Sequence, residues 1–218
     1  MKNKIEKVAV LGAGTMGAQI AGHLANAGIP SCLFDISQEL AENGVGMLTS
    51  LRPAPLYKPK NSSLIEACNY DDHLEKIKDV DWIVEAVAEN LDIKHKVYKN
   101  IAQYIKGSAI ISSNTSGIPL GDLTQVMSDD LKSRFLITHF FNPPRYMRLL
   151  ELVKGPDTAD DIYNDMSIFG EDILGKGIVH AKDTPNFIGN RIGVHGGNNA
   201  IRLAIKMGLT CEEVDKLS

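Results

Sequence analysis

Short apolar runs recur along the chain, each bounded by glycine, proline or charged residues. They fall at 8–11, 31–34, 64–68, 82–87, 109–112, 135–139, 147–153 and 177–181. Most are continuous rather than alternating, which is the pattern of strands covered on both faces, as in a parallel sheet. Between them lie stretches with helical spacing. Met16, Ile20 and Leu24 share one face, with small Ala18, Ala21 and Ala25 between them, and Gly28 closes that helix. Ile93, Val97, Ile101 and Ile105 predict a helix over 91–105 ended by Gly107. Shorter helices are predicted over 120–127 and 160–174, the latter closed by Gly175. Strand and helix alternate, so the fold class is α/β with a doubly wound, mainly parallel sheet. The run at 64–68 reads as an edge strand.

Three regions are less regular. Residues 37–43 predict a short helix that Gly44 and Gly46 interrupt, and Pro53, Pro55 and Pro59 exclude regular helix after it. Asp71 and Asp72 are placed to cap a helix through Leu74 and Ile77. From Pro185, near a first turn, a long helix runs to Gly208. Gly193, Gly196 and Gly197 inside it predict close packing against another element. Thr210 and Glu213 form a capping box that opens a further helix, and the chain ends five residues later at Ser218, the pattern of a truncated helical domain.

Composition narrows the partners. With 44% hydrophobic residues in 218, the chain can bury a sizeable core, and a net charge of −4 argues against a nucleic-acid surface. Three scattered cysteines without C-x-x-C spacing fit a reducing compartment, and Cys32, inside an apolar run, reads as a small buried hydrophobe rather than a reactive thiol. Met1 to Lys4 lead into the first strand and no apolar run reaches membrane-spanning length, so a cytoplasmic protein is expected.

Gly12-Ala13-Gly14-Thr15-Met16-Gly17 follows the first strand and opens the first helix. This is the spacing of a dinucleotide-binding turn of Rossmann type. Gly12 permits the turn, Gly14 lets backbone approach a pyrophosphate, and Gly17 lets the helix sit close to the strand. The helix N-terminus supplies N–H groups and a partial positive charge for the anion. Asp35 ends the second strand, where a carboxylate takes both hydroxyls of an adenine ribose and repels a 2′-phosphate, selecting NAD over NADP.

Chemistry in such sheets sits outside the carboxyl ends of the strands. Ser112 to Gly117 and His139 to Pro144 are polar clusters at those ends. Glu151 interrupts the apolar run Leu149 to Val153, and a carboxylate there needs a partner. A short connection through Pro143 and Pro144 would return Glu151 beside His139, either as a base with its orienting carboxylate or as a structural ion pair. His23, His73, His95, His180 and His195 are read as structural.

Five ordered motifs carry a resemblance. They are the glycine loop, Val84 to Asn90, Ser113 to Ser116, His139 to Pro143, and Asp183 to Arg191. Together they resemble the L-3-hydroxyacyl-CoA dehydrogenase family, and Asn186 and the Ser-Gly-Ile after Thr115 resemble the bacterial long-chain members fused to an enoyl-CoA hydratase module. The resemblance implies NAD-dependent oxidation of a 3-hydroxyacyl-CoA in fatty-acid β-oxidation. It implies His139 as general base, Glu151 as its orienting partner, and Ser116 and Asn190 on the reacting oxygen. Glu89, Lys94 and Asn142 would line the nicotinamide-ribose side; the competing reading of Lys94 is a solvated helix lysine. Arg145 and Arg148 are open between CoA phosphates and solvent. The expected organisation is an NAD-binding domain over 1–183 and the first part of a helical, dimer-forming domain over 184–218. The segment 35–64 is too short for the family's long helical hairpin, so no CoA ligand is assigned there. A dehydrogenase of another small hydroxy acid and a non-catalytic NAD-binding protein are the competing readings.

Overall fold

Eight strands form one sheet in the order β3-β2-β1-β4-β5-β6-β7-β8 in a computed structural model that describes residues 4–217. In chain order they are β1 (Val8–Leu11), β2 (Ser31–Asp35), β3 (Ile65–Asn69), β4 (Trp82–Glu85), β5 (Ile110–Ser113), β6 (Phe135–Phe140), β7 (Leu149–Lys154) and β8 (Gly177–Ala181). Every neighbouring pair is parallel except β6 and β7, which are antiparallel. The strand order reverses at β1 and β4. Loops leaving their carboxyl ends in opposite directions open a crevice there.

Burial on both faces explains the continuous apolar runs. Along β1, Val8 and Val10 enter one core while Ala9 and Leu11 enter the other. In β4, Trp82 and Val84 likewise oppose Ile83. Each such buried aliphatic side chain is worth about 1.5–3 kcal/mol. The first core is covered by helices α1 (Thr15–Asn26), α2 (Gln38–Ser50) and, from later in the chain, α6 (Asp160–Ile168). The second is covered by α3 (Leu91–Ile101) and α4 (Leu120–Leu123), with α5 (Asp129–Ser133) leading into β6. The chain finishes in α7 (Gly189–Met207) and α8 (Cys211–Leu217).

Several expectations are corrected. The helix after β2 is not interrupted by glycine: Ser37 caps it by accepting from the Leu40 amide, and it continues to Ser50. A Cβ at Gly44 would lie 2.7 Å from the carbonyl oxygen of Ala13. The glycine therefore lets α2 cross close to the glycine loop, a tertiary gain that outweighs its poor propensity. Asp71 and Asp72 do not cap a helix; their amides donate to the Asn69 side chain in a turn, and a 3₁₀ segment follows over Leu74–Asp79. The predicted 91–105 helix ends as α at Ile101, and the helix after Asp160 becomes a π-turn over Phe169–Ile173.

Pro185 lies before α7 rather than in its first turn. Gly193, Gly196 and Gly197 meet nothing within 4 Å of an added Cβ, so they do not mark close packing among the described residues. No residue of α7 is buried. Arg145 is half-buried. It donates to the carbonyls of Ala54 and Leu56 and stacks over Tyr57, latching the proline-rich segment. Arg148 is exposed, and Cys32 and Cys68 are buried, as expected of small hydrophobes. Between β2 and β3 the only α-helix is α2, so no helical hairpin is formed there.

Candidate active site

A cavity of about 790 Å³ lies along the carboxyl ends of the strands, within the size range of small-molecule sites. Gly12, Gly14, Thr15, Met16 and Asp35 line one end; Ser116, His139, Phe141, Asn142 and Asn190 line the other. Glu89 and Lys94 line it as well.

Backbone builds the first end. Gly12 has φ +103°, a conformation side chains rarely adopt. A Cβ on Gly17 would run into the carbonyl of Gly12, whereas one on Gly14 would meet nothing within 4 Å. So Gly17 lets the helix lie on the turn, and Gly14 presents bare backbone to the cavity. No side chain caps the N-terminus of α1. Asp35 is held across the loop, its Oδ2 accepting from the Ala13 amide at 2.7 Å and its Oδ1 from Ile36 at 2.7 Å. Ala13 thus serves through its amide. These groups fit a dinucleotide: N–H groups and open space for the pyrophosphate, and a carboxylate fixed across the loop for the ribose.

Side chains build the second end. His139 and Glu151 are direct partners in the antiparallel register of β6 and β7. His139 Nδ1 lies 2.8 Å from Glu151 Oε2. An ionised carboxylate only accepts, so Nδ1 carries the proton and the other ring nitrogen is an acceptor. The ring packs between Phe141 and Phe187, at centroid distances of 4.5 and 5.6 Å. Glu151 is fully buried, and its Oε1 accepts from the amides of Ile188 (3.0 Å) and Gly189 (2.7 Å). One carboxylate therefore joins the imidazole to the turn that presents Asn190. That turn is strained, with φ +62° at Asn186 and +45° at Phe187. A Cβ on Gly189 would lie 2.6 Å from the Phe141 ring.

Lys94 is not a solvated helix lysine. Its side chain is 1% exposed and its ammonium sits 2.7 Å from Glu85 and 3.2 Å from Glu89. Glu89 Oε1 accepts from Thr115 Oγ1 (2.6 Å), the Ser116 amide (2.8 Å) and Ser116 Oγ (3.3 Å). Burial works to raise the Glu89 carboxyl, but the Thr115 hydroxyl, the Lys94 charge and the Ser116 amide outweigh it and hold the group below its ordinary value. Asn142 Oδ1 accepts from Gln19 Nε2 at 3.1 Å, and Asn114 Oδ1 accepts from the Phe140 amide at 2.9 Å.

Sequence reasoning missed Glu85. This carboxylate is fully buried at the end of β4 and accepts from Lys94, from Tyr98 (2.8 Å), from Ser113 (2.6 Å) and from the Val87 amide (2.8 Å). The cue was present, an acid closing an apolar run. Gln19, which orients Asn142, gave no such cue. The remaining histidines lie outside the cavity lining; His23 and His95, for example, meet the carbonyls of Leu174 and Asp122.

A glycine turn at the sheet's switch point, with a histidine–carboxylate pair beside the same cavity, is the arrangement of a dinucleotide-binding domain. The family model for 3-hydroxyacyl-CoA dehydrogenase, NAD binding domain, matches residues 7–184. The chain belongs to this family and carries its NAD-binding domain.

It is 47% identical to a probable 3-hydroxyacyl-CoA dehydrogenase of Deinococcus radiodurans, over 99% of this chain and 64% of that protein. It is 43% identical to one of Bacillus subtilis, over 100% of this chain and 30% of that protein. The chain thus spans from under a third to under two thirds of these relatives. Among solved structures, (S)-3-hydroxybutyryl-CoA dehydrogenase PaaH1 from Ralstonia eutropha superposes with a TM-score of 0.83 at 31% identity, over 96% of this chain and 75% of that one.

Among the described residues, no helix is long and apolar enough to cross a membrane.

Proposed function

We propose that the protein oxidises the 3-hydroxy group of an (S)-3-hydroxyacyl-CoA to a ketone in fatty-acid β-oxidation, with His139 as general base. The observation that carries this reading is the His139–Glu151 pair at 2.8 Å, with the His139 side chain lining a cavity that begins at the glycine loop. NAD supplies the hydride acceptor when bound. His139 takes the hydroxyl proton, and Glu151 keeps the imidazole in the required tautomer and stabilises the imidazolium that forms. Ser116 and Asn190 hold the reacting oxygen. Asp35 takes the adenine ribose, and Glu89, Lys94 and Asn142 lie on the nicotinamide-ribose side.

The length of the relatives supports reading 184–218 as the first part of a helical domain that completes the substrate cleft and forms a dimer. A putative fatty acid oxidation complex trifunctional enzyme of Rickettsia prowazekii, 38% identical over 100% of this chain, supports association with a hydratase module. A cytoplasmic location is part of the same reading.

The test is NADH formation by the full-length protein from (S)-3-hydroxybutyryl-CoA and longer acyl-CoAs, against free 3-hydroxybutyrate. Turnover should require the CoA ester and fall about 10²–10⁴-fold in His139→Ala. Undiminished turnover in that variant removes His139 as the base; equal turnover of the free acid removes the substrate class. The 218-residue chain alone is expected to bind NADH with little turnover.

A further inference from the structure

Glu85 has no place in the proton transfer proposed above, yet it is the most heavily hydrogen-bonded acid beside the cavity. It lies beneath the lining, fully buried, and meets two lining residues: Val87 through its amide and Lys94 through an ammonium that is itself buried and also meets Glu89. The charges do not cancel. Two carboxylates share one ammonium, and no other cation is paired with either of them among the described residues.

We infer that Glu85, acting through Lys94, leaves the Glu89 end of the cavity with net negative charge and so biases the site toward the oxidised, cationic form of the cofactor. This rests on the proposed placement of Glu89 and Lys94 at the nicotinamide side. The oxidised nicotinamide ring carries a positive charge that the reduced ring lacks. A fixed negative charge nearby therefore stabilises one redox form and leaves the other unaffected.

The geometry suits a fixed charge. Tyr98, Ser113 and the Val87 amide supply three donors to Glu85 besides Lys94, and together they hold the carboxylate in place. The excess then falls on Glu89, the exposed member, which is pinned to the Ser116 loop through Thr115 Oγ1 and the Ser116 amide. Without Glu85, the Lys94 ammonium would neutralise Glu89 alone and the cluster would carry no net charge. Asp35 at the other end and Glu151 beneath His139 carry the same charge in both cases. They do not alter the difference. Glu85 is thus a positioning residue that tunes cofactor preference without touching the cofactor.

The experiment measures dissociation constants of NADH, by its fluorescence, and of NAD⁺, by competition, on the 218-residue chain. In Glu85→Gln the ratio of the NADH constant to the NAD⁺ constant should fall about 3- to 10-fold, through weaker NAD⁺ binding. Tyr98→Phe removes a donor but no charge, and should move both constants together. Glu89→Gln removes the same unit of charge at a half-exposed position, and should shift the ratio in the same direction. It decides the matter if circular dichroism shows Glu85→Gln unfolded. An unchanged ratio in a folded Glu85→Gln, or in Glu89→Gln where the first does not fold, overturns the inference. So does an equal shift in Tyr98→Phe. These ratios are independent of the His139→Ala turnover, so either reading can fail while the other stands.

Discussion

Glu151 and Glu85 are both fully buried carboxylates in apolar strands, one on β7 and the other closing β4, yet they are neutralised differently. Glu151 faces an imidazole, and two backbone amides take its other oxygen. Glu85 faces a permanent cation and is enclosed by side-chain donors. A buried acid opposite histidine can follow a proton; opposite lysine it can only set a field. The partner, not the burial, decides what each acid is for.

The sharpest way to break the comparison is to replace each acid by its amide. Glu151→Gln should lower turnover of the full-length protein about 10²–10⁴-fold, because the imidazole loses its orienting anion, while the NADH dissociation constant changes little. Glu85→Gln should spare most of the turnover. Equal losses in steady-state assays would erase the distinction.

Glu85→Ala should cost about 3–5 kcal/mol in urea unfolding at pH 7, since it strips a buried ammonium of its main partner. A cost below 1 kcal/mol would show that Glu89 and water suffice.

A third buried ionisable group supplies a background for both. His23 meets the Leu174 carbonyl through Nε2, has no partner at Nδ1, and is pushed down to about 4, first by burial and then by the Lys176 charge. Between pH 6.5 and about 4 the unfolded chain binds a proton there that the folded chain refuses, so stability falls with pH across that window. The loss is about 3 kcal/mol from this site, which urea unfolding at pH 7 and pH 4 should detect and His23→Phe should blunt. The smallest effect is at Gly189→Ala. The new methyl presses on the flexible edge of the Phe141 ring and should cost about 1 kcal/mol, with a modest rise in KM.

Much of this was legible before any coordinates. The glycine loop, Asp35 and the lone acid Glu151 follow from local spacing and from the cost of burying a charge; the loop and Asp35 line one cavity with His139, and Glu151 lies behind His139 as its partner. Helix periodicity leaves Lys94 open between the cavity and solvent, because it places a residue on a face but does not say what covers that face. Glu85 shows the same cue as Glu151, but its partners Lys94, Tyr98 and Ser113 meet it only in three dimensions. Gly44 was read as a helix breaker because its value lies in the distance to Ala13, and a contact so remote in sequence leaves no local pattern.

The antiparallel pairing of β6 and β7 carries a consequence for how this chain can vary. His139 and Glu151 meet as cross-strand partners, so a residue inserted or lost within either strand between the paired positions and the connection would turn one of them to the opposite face of the sheet. A change of length between β6 and β7 leaves the register alone. Length variation among functional descendants of this sequence should therefore be admitted between the two strands and excluded within them, a signature that can be scored by counting residues.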